Sequence, residues 1–343
     1  MTGRERILRT LEGKSTDRAP QQLWTLPWAL NRYPKELEKI KKDFPDDFFY
    51  APAVFKQTWN ESGNPYEPGE IYTDAWGCKF RTIQRGVFGE VTEPLVRDDD
   101  WGDAGNIHIP EEWLSFEPEE TNRLLKEQNT EGKFVQGGCL PRPFEQLQFI
   151  RGTEGLFCDL MYKPKKFLGF LEKMHDFYVR LTKKWAQTDC DMIPLMDDWG
   201  SQQALLINPK DWKEIFRPLY RDYIDIAHKA GKKVFMHSDG YTLDILPPLI
   251  DMGLDAVNTQ IFCIGIDKLK QFKGKITFWG EIDRQRLLPD GTKKDIQKAV
   301  ESVYNNLYDN GYCIAQCEFG AGANPDNVYE VFAHWQRLTK AKI

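Results

Sequence analysis

The chain has 343 residues, 41% of them hydrophobic, with 11 Trp, 13 Tyr and 21 Phe, which is ample material for a large core and excludes a disordered chain. A formal net charge of -6, with 46 basic residues scattered among 52 acidic ones, leaves no basic face for nucleic acid. No run approaches the roughly 18 apolar residues of a membrane span, the first residues are charged, and the 7 cysteines are odd in number and dispersed like reduced thiols, so no membrane association and a cytoplasmic location are expected.

In chain order, Thr2 to Glu12 reads as a short amphipathic helix, and Asp17-Arg18-Ala19-Pro20 as a turn into a strand. Asn60-Glu61-Ser62 matches a glycosylation sequon, with nothing else pointing to secretion. Asp74 to Phe80 and Gly86 to Val91 read as a hairpin turning near Gln84 to Gly86. From about residue 130 short apolar runs alternate with helical periodicity: Phe134 to Cys139, Asp191 to Asp197, Lys233 to His237, Ala256 to Thr259, Ile276 to Gly280 and Tyr312 to Cys317. Between them, Pro164 opens a helix with Phe167, Phe170, Leu171, Met174, Phe177, Tyr178 and Leu181 on one stripe. Asn208-Pro209 caps another, with Trp212, Ile215, Phe216, Leu219, Tyr223 and Ile226 as its stripe, and Asn324-Pro325 starts the last.

Six strands after residue 130, with room for more before it, fit a TIM (β/α)8 barrel better than an open doubly wound sheet. With no internal repeat and no linker, residues 1–343 are expected to form one domain. Residues 1–130 would place the N-terminal helix and hairpin at the barrel mouth, and 131–343 the regular βα units.

Polar residues gather where these strands stop: Cys139, Asp197, Asp198, His237, Asp239, Asn258, Glu281, Cys317 and Glu318. Strand side chains alternate, so His237 and Asp239 share a face, and Cys317 stands at the comparable point of the last strand. Imidazole, carboxylate and thiolate together suit zinc, although a buried Cys or a strand His taken singly is more often a core residue. Asp197, Asp198, Glu281 and Glu318 are candidate catalytic carboxylates, with the plainer reading that one of the two aspartates caps a helix. Trp24, Trp28, Trp76, Trp199 and Trp279 could face a flat substrate, though several must be core. Gly320-Ala321-Gly322 reads as a tight turn rather than a phosphate cradle, and Cys139 and Cys263 as spectators.

Asp17-Arg-Ala-Pro20, Thr73-Asp-Ala-Trp-Gly77, Asp197-Asp-Trp-Gly-Ser-Gln202, His237-Ser-Asp-Gly240, Phe278-Trp-Gly-Glu-Ile-Asp-Arg-Gln285 and Asn324-Pro-Asp-Asn-Val328 together resemble the uroporphyrinogen decarboxylase superfamily over nearly the whole chain. The resemblance implies a TIM barrel and one of two branches, cofactor-independent porphyrinogen decarboxylases or zinc-dependent methyltransferases that work with corrinoid proteins. The decarboxylase signature Arg-Gln-Ala-Gly-Arg-Tyr corresponds to Trp28-Ala-Leu-Asn-Arg-Tyr33, where Arg32 and Tyr33 remain but Trp28 replaces the first arginine. An aromatic cannot replace a guanidinium toward a polycarboxylate, so the methyltransferase branch is the closer one.

That branch implies a His-x-Cys zinc motif and a later Cys. Here His237 and Cys317 match, Asp239 stands for the middle Cys, and the alternative is that Glu318 or Glu281 supplies the ligand. Asp74 and Trp76 lie in a matching motif and, with Trp24, Arg32, Tyr33, Trp199, Asn258 and Trp279, make up the expected substrate-binding set. The expected activity is zinc-dependent methyl transfer between a corrinoid carried by a partner protein and a small thiol, methoxy or methylamine compound. Decarboxylation of a porphyrinogen-like substrate and a non-catalytic corrinoid or metabolite binder are the alternatives.

Overall fold

The computed structural model describes residues 1–57, 61–99 and 101–340, so the sequon's Asn60 lies outside it. Eight strands run parallel: β1 (Gln21–Thr25), β2 (Phe48–Tyr50), β3 (Phe134–Gln136), β4 (Met192–Met196), β5 (Lys233–Ser238), β6 (Ala256–Thr259), β7 (Thr277–Trp279) and β8 (Cys313–Phe319). Their order is β1-β8-β7-β6-β5-β4-β3-β2, a nearly closed barrel with helices between the strands, as expected. Where β1 approaches β2, carboxylates take the place of a regular ladder: Asp46 accepts from the Leu23 N–H at 2.7 Å and Asp47 from the Gln21 N–H at 2.8 Å.

Alternation along the strands sorts the side chains into two layers. Phe48, Phe134, Met192, Phe235, Ala256, Trp279 and Ile314 fill the barrel interior. Val135, Ile193, Leu195, Val234, Met236, Val257, Phe278, Ala315 and Cys317 belong to the outer layer under the helices. In register, Leu23 lies beside Cys317, Trp24 beside Glu318, Met196 beside His237, and His237 beside Asn258, so the two layers can be followed from strand to strand.

The helix Lys165–Ala186 buries the whole predicted stripe from Phe167 to Leu181. The stripe after Asn208 differs from expectation. A π turn over Trp212–Phe216 precedes the helix Arg217–Lys229 and shifts its register, so Trp212, Phe216, Tyr220, Tyr223, Ile224 and Ala227 are buried while Ile215, Leu219 and Ile226 are only half-buried. The N-terminal helix Gly3–Leu11 lies at the opposite end of the barrel from the mouth, correcting its expected position. Its Ile7 joins the interior layer, and the Arg4 N–H donates to the Gly132 carbonyl just before β3.

The expected hairpin is a three-stranded antiparallel sheet, Ile71–Thr73, Lys79–Arg81 and Glu90–Glu93. It packs Trp76 and Phe80 onto the helices that follow β3, and its Gly86 turn docks beyond β1, where the Trp28 N–H donates to the Gly86 carbonyl at 3.2 Å. A Cβ on Gly86 would stand 2.4 Å from the Trp28 backbone, and its φ of +80° is left-handed, so only glycine allows this approach. Among the described residues no helix is long and apolar enough to cross a membrane.

Candidate metal centre at the barrel mouth

Strands β4 and β5 deliver Asp198, His237 and Asp239 to one point, with a ligand atom from each lying within 4.8 Å of the others. The local cause is alternation: Met196, His237 and the residues two further along each strand face inward, so Asp198 and Asp239 follow them into the mouth. His237 Nε2 lies 3.6 Å from Asp198 Oδ1 and 3.6 Å from Asp239 Oδ1. The Asp239 N–H donates to Asp198 Oδ1 at 2.9 Å, pinning the two strand ends together.

The imidazole is held in one tautomer by its neighbour on β6. Asn258 Nδ2 donates to the Trp279 carbonyl and to Gln316 Oε1, which fixes its Oδ1 as an acceptor toward His237 Nδ1 at 2.6 Å. Nδ1 therefore carries the hydrogen, and the lone pair of Nε2 faces the two carboxylates when the ring is neutral. Trp24 packs edge-on against His237 at 5.2 Å and against Trp279 at 5.0 Å, closing the apolar side of the ring.

Burial alone would depress the His237 pKa, but the Asp198 and Asp239 carboxylates outweigh it and raise it above the usual imidazole value. Burial raises Asp198, against the pull of His237. A bare cluster thus holds on to a proton that a cation would displace. Asp239 Oδ1 is buried without a hydrogen-bond partner, the kind of atom a cation satisfies. Two carboxylate oxygens and one imidazole nitrogen are a chemically sound set for zinc with an open position.

Arg284, in the loop after β7, ties this cluster to its surroundings. It donates to Asp239 Oδ2 and, at 2.9 Å, to Glu318 Oε2, and lies 4.0 Å from Glu281 Oε1. Burial pushes the Glu281 carboxyl up to about 8, Arg284 opposing and Asp239 and Glu318 reinforcing. Beyond the cluster, Glu145 is also raised by burial, with Arg142 bonded to it at 3.2 Å and Asp198 and His237 acting on it electrostatically.

Of the sequence-predicted set, His237, Asp239, Asp198, Glu281, Glu318, Asn258, Trp24 and Trp279 meet here. Cys317 does not, which corrects the expected zinc set. It falls on the outer face of β8 beside Leu23, is wholly buried in the layer under the helices, and burial raises its thiol well above the ordinary value. Glu318, one residue on and beside Trp24, faces the mouth.

Asp197 points the other way from Asp198. It accepts from the backbone N–H groups of Phe144 and Glu145 at 3.0 and 2.6 Å and from the Tyr220 hydroxyl at 2.6 Å, so it caps the helix Pro143–Arg151 rather than touching the cluster. Trp199 stacks on Phe144 at 4.1 Å and Trp76 packs on Phe177, both in the core. Asp74 closes its own turn through the N–H groups of Trp76 and Cys78. Arg32 is exposed, its guanidinium 5.7 Å from both the Trp28 and Tyr33 rings, and Tyr33 stacks on Phe319.

Arg284, Glu145, Arg142 and Gln316 were not among the expected site residues. The position of Arg284, four residues past Gly280 at the end of a strand, was the available signal. Because Asn258 sets the tautomer, Asn258→Ala is expected to weaken the hold of this cluster on an added divalent cation such as zinc by about 10–100-fold without unfolding the chain, as read by competition with a chromogenic chelator.

The chain belongs to the uroporphyrinogen decarboxylase (URO-D) family, whose model matches residues 73–337. A methyltransferase from Methanosarcina mazei shares the fold with a TM-score of 0.69 at 13% identity, over 98% of this chain and 99% of that one. A sugar phosphate isomerase/epimerase from Parabacteroides distasonis aligns over 94% of this chain and 96% of its own at 10% identity, but its TM-score of 0.40 supports no comparison. No curated protein matches the sequence.

Proposed function

We propose that this protein is a zinc-dependent methyltransferase that moves a methyl group between a corrinoid on a partner protein and a small thiol, methoxy or methylamine compound. Asp198, His237 and Asp239 would hold the zinc. The observation that carries the reading is the convergence of His237 Nε2 with two carboxylates, one oxygen of which, Asp239 Oδ1, is buried with no other partner. Zinc bound there would act as a Lewis acid toward the heteroatom that gives up or accepts the methyl group.

The residues of the chain supply the rest. Asn258 keeps the Nε2 lone pair of His237 free, Trp24, backed by Trp279, shields the ring, and Arg284 holds Asp239 in place. In the metal-free chain burial pushes the Glu281 carboxyl up to about 8. When a methyl group leaves as an electrophile, the heteroatom keeps the bonding pair, and Glu281, if still protonated beside the ion, would be the acid that returns a proton to it.

The same charges disfavour decarboxylation of a porphyrinogen-like polycarboxylate. Asp198, Asp239, Glu281 and Glu318 crowd the mouth, and the guanidinium among them, Arg284, is already bonded to Asp239 and Glu318. The test is metal analysis of the purified chain, then a screen of methylated compounds against a reduced corrinoid carrier, following the cobalt spectrum. About one zinc per chain and a methyl-cobalt spectrum with at least one compound class are expected. A chain without stoichiometric zinc that binds a tetrapyrrole unchanged, or decarboxylates one, would overturn the reading.

A further inference from the structure

A second compartment opens where Arg142, the partner of Glu145, reaches its lining. It encloses about 450 Å³, within the range of small-molecule sites, and Phe55, Trp113, Leu140, Leu181 and Trp185 give it apolar, mostly aromatic walls. Trp185 is wedged in place by Phe116 at 4.6 Å. Gly138 lets the chain pass over it, since a Cβ there would meet the Trp185 ring at 2.5 Å.

The charges on the lining are unbalanced. Arg142 and Lys56 face it against Glu61 alone, and the Glu61 carboxylate is already engaged by the Tyr72 hydroxyl at 3.0 Å. Among the described residues the Arg142 guanidinium finds one side-chain acceptor, Glu145 Oε2 at 3.2 Å, a single contact from one of its nitrogens. A fixed planar fork at the wall of an apolar cavity recognises a carboxylate, and flat aromatic walls recognise a flat body.

We propose that this compartment binds a small aromatic carboxylate, its ring between the apolar walls and its carboxylate on Arg142. Taking that compound as the substrate rests on the methyl-transfer reading; the binding does not. Among the three classes of methyl compound, it points to those that carry an acidic aromatic ring.

The test is calorimetric titration of the purified full chain with benzoate and with benzamide, its uncharged counterpart of the same shape. Benzoate is expected to bind at least about tenfold more tightly. Arg142→Gln should remove that preference and leave benzamide binding and zinc content unchanged. Leu140→Trp, which fills the cavity from its rim, should weaken both ligands.

Equal affinity for the two ligands, no benzoate binding, or undiminished benzoate binding in Arg142→Gln would overturn the proposal. Should that variant not fold, Arg142→Lys, which keeps the charge and loses the fork, is expected to bind benzoate several-fold more weakly, and undiminished binding there would overturn it too. Zinc content and benzoate titration of the parent chain together separate the two readings. Benzoate binding by a parent chain that takes up no zinc leaves this inference standing and the metal reading fallen, and zinc without benzoate binding does the reverse.

Discussion

On the proposed reading, His237→Ala is expected to lose zinc on dialysis, with affinity down by about a hundredfold or more, and with it any methyl transfer that the parent chain carries out. The imidazole is the one nitrogen donor among the three candidate ligands, and without it two carboxylates would hold the ion alone. Zinc in excess should raise the melting temperature of the parent chain, because a ligand that binds only the folded state at 100 times its Kd adds about 2.7 kcal/mol. The variant should show no such rise.

Without metal, the sign with pH is set by the raised His237 pKa. Its contribution to stability is complete below the unfolded imidazole value and is lost as pH rises through the folded one, so the variant should be penalised most at acid pH. Cys317→Ser is the matched comparison. A thiol in the outer layer would have no part in holding an ion at the mouth, so that variant should keep whatever zinc its parent takes up and show only a packing loss. Retention of zinc by His237→Ala, or its loss from Cys317→Ser, would place the metal elsewhere.

Why Cys317 read as a ligand is a matter of parity. In the run from Cys313 to Phe319 the polar pair Gln316 and Glu318 already alternates with Cys317, but a thiol is the more familiar zinc ligand and both faces of a parallel barrel strand are buried, so the alternation alone does not say which side chains turn inward. Its neighbour decides this: Trp24, beside Glu318, packs on His237, and so Gln316 and Glu318 face the mouth while Cys317 turns away. For β5 the pattern was readable, because His237 and Asp239 are polar residues two apart at the end of an apolar run.

The same alternation separates Asp198 from Asp197, and it is legible only once Met196 is known to lie beside His237. The π turn at Trp212 and the role of Arg284 leave no periodic trace. One is a single extra residue within a turn, and the other is a loop side chain whose partners lie 34 and 45 positions away in the chain. The barrel itself was legible, since six apolar runs separated by long amphipathic helices admit few other arrangements.

Arg284→Ala is expected to destabilise the metal-free chain by about 3–5 kcal/mol near pH 8, because it leaves partly buried carboxylates with no cation between them. The loss should depend on pH. Glu281 already has a folded pKa near 8, well above its ordinary value, chiefly through burial. A carboxyl raised in this way favours the folded state fully below the unfolded pKa, and that contribution is lost as pH rises toward 8.

Arg284 is the first of the influences that hold the Glu281 value down, so removing it raises that value further and extends the window of loss above pH 8. Urea unfolding of the chelated protein from pH 5 to 9 should therefore show the variant closest to its parent at pH 5 and furthest from it at pH 9. Glu281→Gln in the Arg284→Ala background removes the titrating group and should flatten much of this dependence. A gap between Arg284→Ala and its parent that stays constant across the range would mean that Glu281 does not sense the guanidinium, and the charge balance described for the mouth would have to be redrawn.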